Sequence, residues 1–160
     1  NSIDVYSFEK ENREYFERSL PPRPAHYFDS ESFKEITREL LREQENHDVY
    51  MHLIRDAQGT MVGRINLSVL GKDRKTAELG YRIGENVTNL GYASEAVKLV
   101  LEKAFTTYGL HKIIAGTATY NLASQRVLLK NGFTFSRIIE NDFQMNNEWI
   151  HTAVFEIRNL

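Results

Sequence analysis

AELGYRIGENVTNLGYASEAVKLVLEKAFTTY, residues 77–108, changes its period halfway along. Residues 76–83 alternate in the manner of a strand, Gly84-Glu85-Asn86 breaks the pattern, and a helix is predicted from near Gly91. Ala93, Ala96, Val97, Val100, Leu101, Ala104, Phe105 and Tyr108 then form a wide apolar stripe at 3.6 spacing. A strand that runs through a glycine-containing turn into a helix is a standard phosphate holder. The first N–H groups of the helix have no internal partner, and the macrodipole adds partial positive charge there. The loop before this helix is therefore expected to grip the pyrophosphate of a coenzyme.

Downstream, Gly109 suits the end of the helix. A strand is expected over 111–119, a shorter helix over 121–130 closed by Asn131-Gly132, and two strands over 133–140 and 148–157 joined by a loop at 141–147. Upstream, strands at 49–56 and 60–69 flank the turn Asp56-Ala57-Gln58-Gly59 and predict an antiparallel hairpin. A second turn at 71–75 leads into strand 76–83. Before the hairpin, a helix with Phe33, Ile36, Leu40 and Leu41 at helical spacing is expected to be capped by Ser30 or Ser32, with 32–35 as a capping box. Residues 21–24, Pro-Pro-Arg-Pro, form an elbow after a helix at 8–20, and residues 3–6 read as a short strand. The crossover from strand 76–83 through a helix to strand 111–119 demands parallel pairing in an otherwise antiparallel sheet. The expected class is α+β (α/β), in one domain over residues 1–160.

Composition narrows the function. The chain has 160 residues, of which 41% are hydrophobic and 26% charged, with a formal net charge of −2. No basic field is present to hold nucleic acid by counterion release, so no nucleic-acid partner is expected. The absence of cysteine removes disulfides, thiolate metal sites and a cysteine nucleophile, and fits a reducing compartment. No run approaches the roughly 20 apolar residues of a membrane span, so no membrane partner is expected and a cytoplasmic location is. Asn1 is followed by no targeting signal, and the natural start is expected upstream of it. No His or acid pair has metal-binding spacing, and no metal is expected. A monomer or homodimer is expected.

Three pieces carry a resemblance: AELGYRIGENVTNLGYASEA, NLASQRVLLKNGF and EWIHTAVFEI, in that order and correctly spaced between residues 77 and 157. Together they resemble the GNAT acyltransferases, which use acetyl-CoA, and most of all the branch of ribosomal-protein N-terminal acetyltransferases and related small-amine enzymes. Residues 1–76 match in layout more than in motif. The resemblance implies a GNAT acyl-CoA N-acyltransferase fold with a parallel splay between strands 76–83 and 111–119. Acetyl-CoA would lie in that splay as a cosubstrate, with an amine acceptor as the other partner.

The family's phosphate loop, Arg/Gln-x-x-Gly-x-Gly/Ala, stands here as Thr88-Asn89-Leu90-Gly91-Tyr92-Ala93, followed by Ser94. Thr88 replaces the long first side chain, although backbone N–H groups make most contacts in such a loop. A plain helix start with a turn glycine is the alternative reading. The resemblance further implies that Tyr81, Arg82 and Ile83 offer backbone groups to the pantetheine and the thioester carbonyl, where one N–H would stabilise the oxyanion. Asn121 would contact the coenzyme arm and Ser124 would help protonate the leaving thiolate. The same two residues also read as a helix cap and its first turn. Many relatives use a Tyr where this chain has Leu128. Lys130 would meet a CoA phosphate or stand solvated at a helix end.

The amine must lose a proton, which calls for a carboxylate or His. Glu78 interrupts an apolar strand where the branch has an acid, and is the candidate base or substrate anchor; a solvent-facing strand residue is the other reading. A second acidic position of some relatives is Gly116 here. Glu140, Asp142, Glu148 and His151 rank second for the acceptor end, and Tyr27, Phe28, Phe33 and Trp149 are candidates to line it. Without cysteine, direct attack of the amine on the thioester is expected. The favoured acceptor is a protein N-terminal amine. The alternatives are a small amine (a polyamine, amino sugar or amino acid) and a non-catalytic CoA-binding sensor on the same fold.

Overall fold

The computed structural model describes residues 2–159. Helices α1 (Ser2–Glu11), α2 (Arg13–Glu17) and α3 (Ser30–Glu45) precede strands β1 (Val49–Arg55), β2 (Met61–Leu70) and β3 (Thr76–Ile83). Helix α4 (Tyr92–Thr106), strand β4 (Lys112–Ala118), helix α5 (Leu122–Lys130), and strands β5 (Thr134–Met145) and β6 (Glu148–Arg158) complete the chain. The six strands lie in the order β1-β2-β3-β4-β6-β5. Every neighbouring pair is antiparallel except β3 and β4, which are parallel, as a crossover through α4 requires.

The two sheet faces are covered differently. Leu67, Ala77, Leu79, Ile113 and Ala115 point to one face and pack with Ala96, Val97, Val100, Leu101 and Ala104 of α4 and Leu128 of α5. On the opposite face Val5 of α1, Tyr27 and Phe33 form a smaller cluster against Leu53 and Met61 of the first hairpin. Removing that apolar surface from water is the main driving force for layering helices on a sheet.

The N-terminal third departs most from the sequence reading. Residues 3–6 belong to α1, where Val5, Phe8 and Glu9 are buried at helical spacing. The expected helix at 8–20 is broken at Asn12, whose amide donates to the Phe8 carbonyl while its Oδ1 accepts from the Glu85 N–H, at 2.9 Å each. That bond ties the break to the loop after β3. Helix α3 is capped by neither Ser30 nor Ser32: Asp29 sits at the cap and accepts from the Ser32 N–H at 3.0 Å. A carboxylate one residue earlier competes better for the open N–H groups. The loop expected at 141–147 is mostly strand. Strand β5 runs on to Met145 through an irregularity between Ile139 and Phe143, and only Asn146-Asn147, both at positive φ, make the turn. Asn tolerates that conformation, so a two-residue hairpin suffices.

Candidate active site

The parallel pairing of β3 and β4 covers only Thr76–Lys112, Ala77–Ile113 and Glu78–Ile114. Beyond Glu78, β3 stays with β2 and β4 stays with β6, so the sheet opens into a cleft. Alternation of the antiparallel ladder decides which backbone groups face the opening. Gly84 N–H bonds the Val62 carbonyl, so the even residues of β3 are committed to β2 and the N–H and C=O groups of Tyr81 and Ile83 turn to the cleft. On β4 the bond from Thr119 N–H to the His151 carbonyl commits the odd residues to β6 and turns Ala118 inward. The expectation for Arg82 is corrected by the same rule: its backbone lies in the β2–β3 ladder opposite Arg64. The two strands approach closely here because residue 63 is glycine; a Cβ there would lie 2.6 Å from the Arg82 carbonyl oxygen.

The mouth of the cleft is the start of α4. Residues Glu85–Val87 form a 3₁₀ turn, and Asn89 and Gly91 adopt positive φ, at 62° and 85°. Gly91 caps α4 with no side-chain hydrogen bond, so the first N–H groups, those of Tyr92, Ala93 and Ser94, have no capping side chain to satisfy them. The Thr88 hydroxyl donates to the Glu85 carbonyl at 3.1 Å, which braces the loop and leaves its lone pairs as acceptors only. Leu90 is exposed. A residue that sequence reasoning passed over holds the far side: the Asn131 amide donates to the Ser94 carbonyl, the Ser94 hydroxyl and the Val127 carbonyl. It fastens the end of α5, one residue after the exposed Lys130, to the start of α4. The Asn-Gly pair after a helix was its only trace in the sequence. The loop thus combines backbone donors, positive helix-end charge and a nearby lysine, which fits a pyrophosphate.

Tyr81 and Ser124 meet across the helix side of the cleft, with hydroxyls 3.1 Å apart. Burial pushes the Tyr81 phenol above its ordinary pKa, against the opposing effect of the Ser124 hydrogen bond, so it is a neutral donor at physiological pH. The sequence reading gave Tyr81 a backbone role only. Leu128, where many relatives carry a tyrosine, is 1% exposed and part of the core. Asn121 caps α5 by accepting the Ser124 N–H at 3.1 Å, so its carbonyl oxygen is already engaged.

The opposite face of β3 carries Glu78, Gly80 and Arg82. Glu78 is exposed, at the closed end of the cleft. Arg82 reaches Glu9 of α1, which is 1% exposed and also binds Arg23 and Arg64. Burial alone opposes ionisation of Glu9. The hydrogen bonds and charge of Arg23, then the charges of Arg82 and Arg64, outweigh it and hold the carboxyl below its usual range. Of the second-rank groups, Asp142 accepts from the Thr152 hydroxyl at 2.7 Å, and His151 Nδ1 accepts from the Asn141 N–H at 2.9 Å. Glu140 and Glu148 are exposed. Tyr27 and Phe33 are core residues, whereas Trp149 is 55% exposed on β6. Among the described residues, no group of three or more His, Asp or Glu is placed to hold a metal, and no helix is long and apolar enough to cross a membrane.

The sequence profile of the acetyltransferase (GNAT) domain matches residues 4–134. The chain is 30% identical over 153 residues to the probable N-acetyltransferase YjcK of Bacillus subtilis (strain 168), covering 94% of this chain and 84% of that one. The fold is shared with the ribosomal-protein-S5-alanine acetyltransferase of Vibrio fischeri, at a TM-score of 0.92 and 19% identity over 99% of this chain and 87% of that one. It is also shared with the spermidine N-acetyltransferase of Vibrio cholerae in complex with CoA and spermine, at a TM-score of 0.81 and 18% identity over 98% and 89% of the two chains. The chain belongs to the GNAT acetyltransferase family and is an acetyl-CoA-dependent N-acetyltransferase.

Proposed function

We propose that this acetyltransferase passes the acetyl group directly to a protein N-terminal amine. The observation that carries the reading is the cleft with its two unlike sides: open helix N–H groups and the Tyr81–Ser124 pair on one, the carboxylate of Glu78 on the other. In this reading the loop 88–94 and Lys130 hold the pyrophosphate, while Tyr81 or Ile83 N–H meets the thioester oxygen as it becomes an oxyanion. Glu78 accepts one proton of the substrate ammonium, directly or through water, and so frees the amine to attack the thioester carbonyl. The C–N bond forms, the C–S bond breaks, and the second proton that the nitrogen sheds on becoming an amide passes through the Ser124 hydroxyl, backed by the Tyr81 phenol, to the departing sulfur and restores the thiol. Asn121 acts as a helix cap that presents Ser124.

The likeness to the S5-alanine acetyltransferase supports a peptide acceptor, and the likeness to the spermidine enzyme supports a small amine as the second reading. Thiol release from acetyl-CoA across a panel of peptides and small amines tests both. Acetylation of peptide α-amines ahead of polyamines, amino sugars and amino acids supports the first. The reading fails if CoA binds and no amine accelerates thiol release above hydrolysis.

A further inference from the structure

The amide nitrogen of Asn131 lies 2.9 Å from the Val127 carbonyl and 3.2 Å from both the carbonyl and the hydroxyl oxygen of Ser94. A carbonyl oxygen accepts and cannot donate, so the two carbonyls fix the nitrogen of the amide, rather than its oxygen, at this place. The Ser94 hydroxyl therefore meets an N–H, and its oxygen is the acceptor. Its own proton points elsewhere, and among the described residues nothing receives it. A helical serine ordinarily donates to the carbonyl four residues back. For Ser94 that residue is Leu90, which stands outside α4 and before the left-handed Gly91.

The loop's other aliphatic hydroxyl is in the opposite state. Thr88 gives its proton to the Glu85 carbonyl at 3.1 Å and shows only lone pairs. A phosphate oxygen is itself an acceptor, so the lone pairs of Thr88 repel it and the free proton of Ser94 suits it. Ser94 is the third residue of α4 and half-buried. Helical side chains tilt towards the N-terminus, so this hydroxyl leans to the end where the open N–H groups of Tyr92, Ala93 and Ser94 stand. Asn131 follows the last residue of α5 and bonds at once to its own helix, through Val127, and to α4. That double attachment holds the amide in one orientation.

Resting on the reading that the start of α4 takes the pyrophosphate of acetyl-CoA, we infer that Ser94 donates its hydroxyl proton to that pyrophosphate, and that Asn131 is the positioning residue that makes it a donor. Asn131 engages a lone pair of the serine oxygen and leaves the proton for the ligand. A free hydroxyl rotor would have to be ordered when the anion arrives, whereas this one is ordered beforehand.

Calorimetry with CoA, with dephospho-CoA (which lacks only the ribose phosphate) and with pantetheine tests this. No acceptor amine is needed, so the result does not depend on which amine is acetylated. Stoichiometry is fitted separately, so a smaller folded fraction does not enter Kd. Ser94→Ala is expected to weaken CoA and dephospho-CoA alike by about tenfold, as loss of a hydrogen bond to a charged group does, and to leave pantetheine unchanged. Ser94→Thr keeps the hydroxyl and should retain most of the affinity. Asn131→Ala should weaken CoA by about threefold when Ser94 is present and not at all in Ser94→Ala, because it acts through that hydroxyl. Four results overturn the inference: unchanged CoA affinity in Ser94→Ala, a loss shared by pantetheine, a loss absent with dephospho-CoA, or an equal effect of Asn131→Ala with and without the Ser94 hydroxyl. If wild type binds CoA no better than pantetheine, the pyrophosphate reading itself has failed and the inference falls with it.

Discussion

Replacing Glu9 by Gln tests the charge cluster that joins α1, the proline elbow and the sheet. Glu9 is 1% exposed and receives Arg23, Arg64 and Arg82, whose side chains are 26%, 12% and 18% exposed. The substitution keeps the shape, removes the only negative charge bonded to all three arginines, and aims an amide at further donors. Breaking a buried ion pair by removing one partner costs about 3–5 kcal/mol. The arginines keep some water, so the lower end applies, about 3 kcal/mol at pH 7. For a chain of this size that corresponds to a Tm lower by roughly 10 °C. The pH dependence has a definite sign. The folded pKa of Glu9 is depressed, so its contribution is complete above the unfolded carboxylate value of about 4.3 and is lost as pH falls through the lower folded value. Urea unfolding of wild type and Glu9→Gln, followed by circular dichroism from pH 7 to pH 3, measures the gap. It should be full at pH 7 and close in acid as wild type loses the charge. A gap below about 1 kcal/mol at pH 7, or one that stays constant into acid, refutes the reasoning.

Glu78→Gln should lower kcat by about 10²-fold or more at neutral pH with CoA affinity unchanged; an unaltered pH–rate profile removes Glu78 as the base. Ser124→Ala and Tyr81→Phe should each slow the chemical step in single-turnover experiments while CoA affinity holds, and a loss confined to affinity would make the pair a binding contact. Gly63→Ala forces a Cβ to within 2.6 Å of the Arg82 carbonyl and should cost on the order of 2 kcal/mol in urea unfolding, with weaker CoA binding as β2 pushes β3 into the cleft. A Gly63→Ala protein of wild-type stability would show that the strands part without strain.

Much of this molecule follows from local pattern. The apolar stripe of α4, the Gly91 start and the strand–helix–strand order dictate one parallel pair in an antiparallel sheet, because the chain must cross over and return. The open helix start was legible for the same reason: unsatisfied N–H groups at a helix N-terminus are a property of the backbone. Where the pattern misled, the deciding interaction lay outside the hydrophobic period, near in sequence at the Asp29 cap and remote at Asn12. Ile3 and Val5 alternate as in a strand, yet residues 3–6 are helical because α1 buries Val5, Phe8 and Glu9, and a buried glutamate is invisible to a hydrophobic period. Asn12 breaks the next helix in favour of the Glu85 N–H, 73 residues away.

Local pattern sets the order of elements, since each strand and helix is specified by neighbours within a few residues, while Glu78, the Tyr81 backbone and Ser124 stand out in the sequence through the family resemblance. Tertiary structure alone decided what those residues face. Pairing register turned Tyr81 and Ile83 backbone groups into the cleft and Arg82's away from it, because hydrogen-bond direction alternates along a strand and depends on the partner. Chain folding brought the Tyr81 phenol to Ser124, 43 residues on, and gathered Arg23, Arg64 and Arg82 around Glu9 from four separate stretches of chain. Charge surplus is a sum over neighbours in space, and only the folded molecule fixes who the neighbours are.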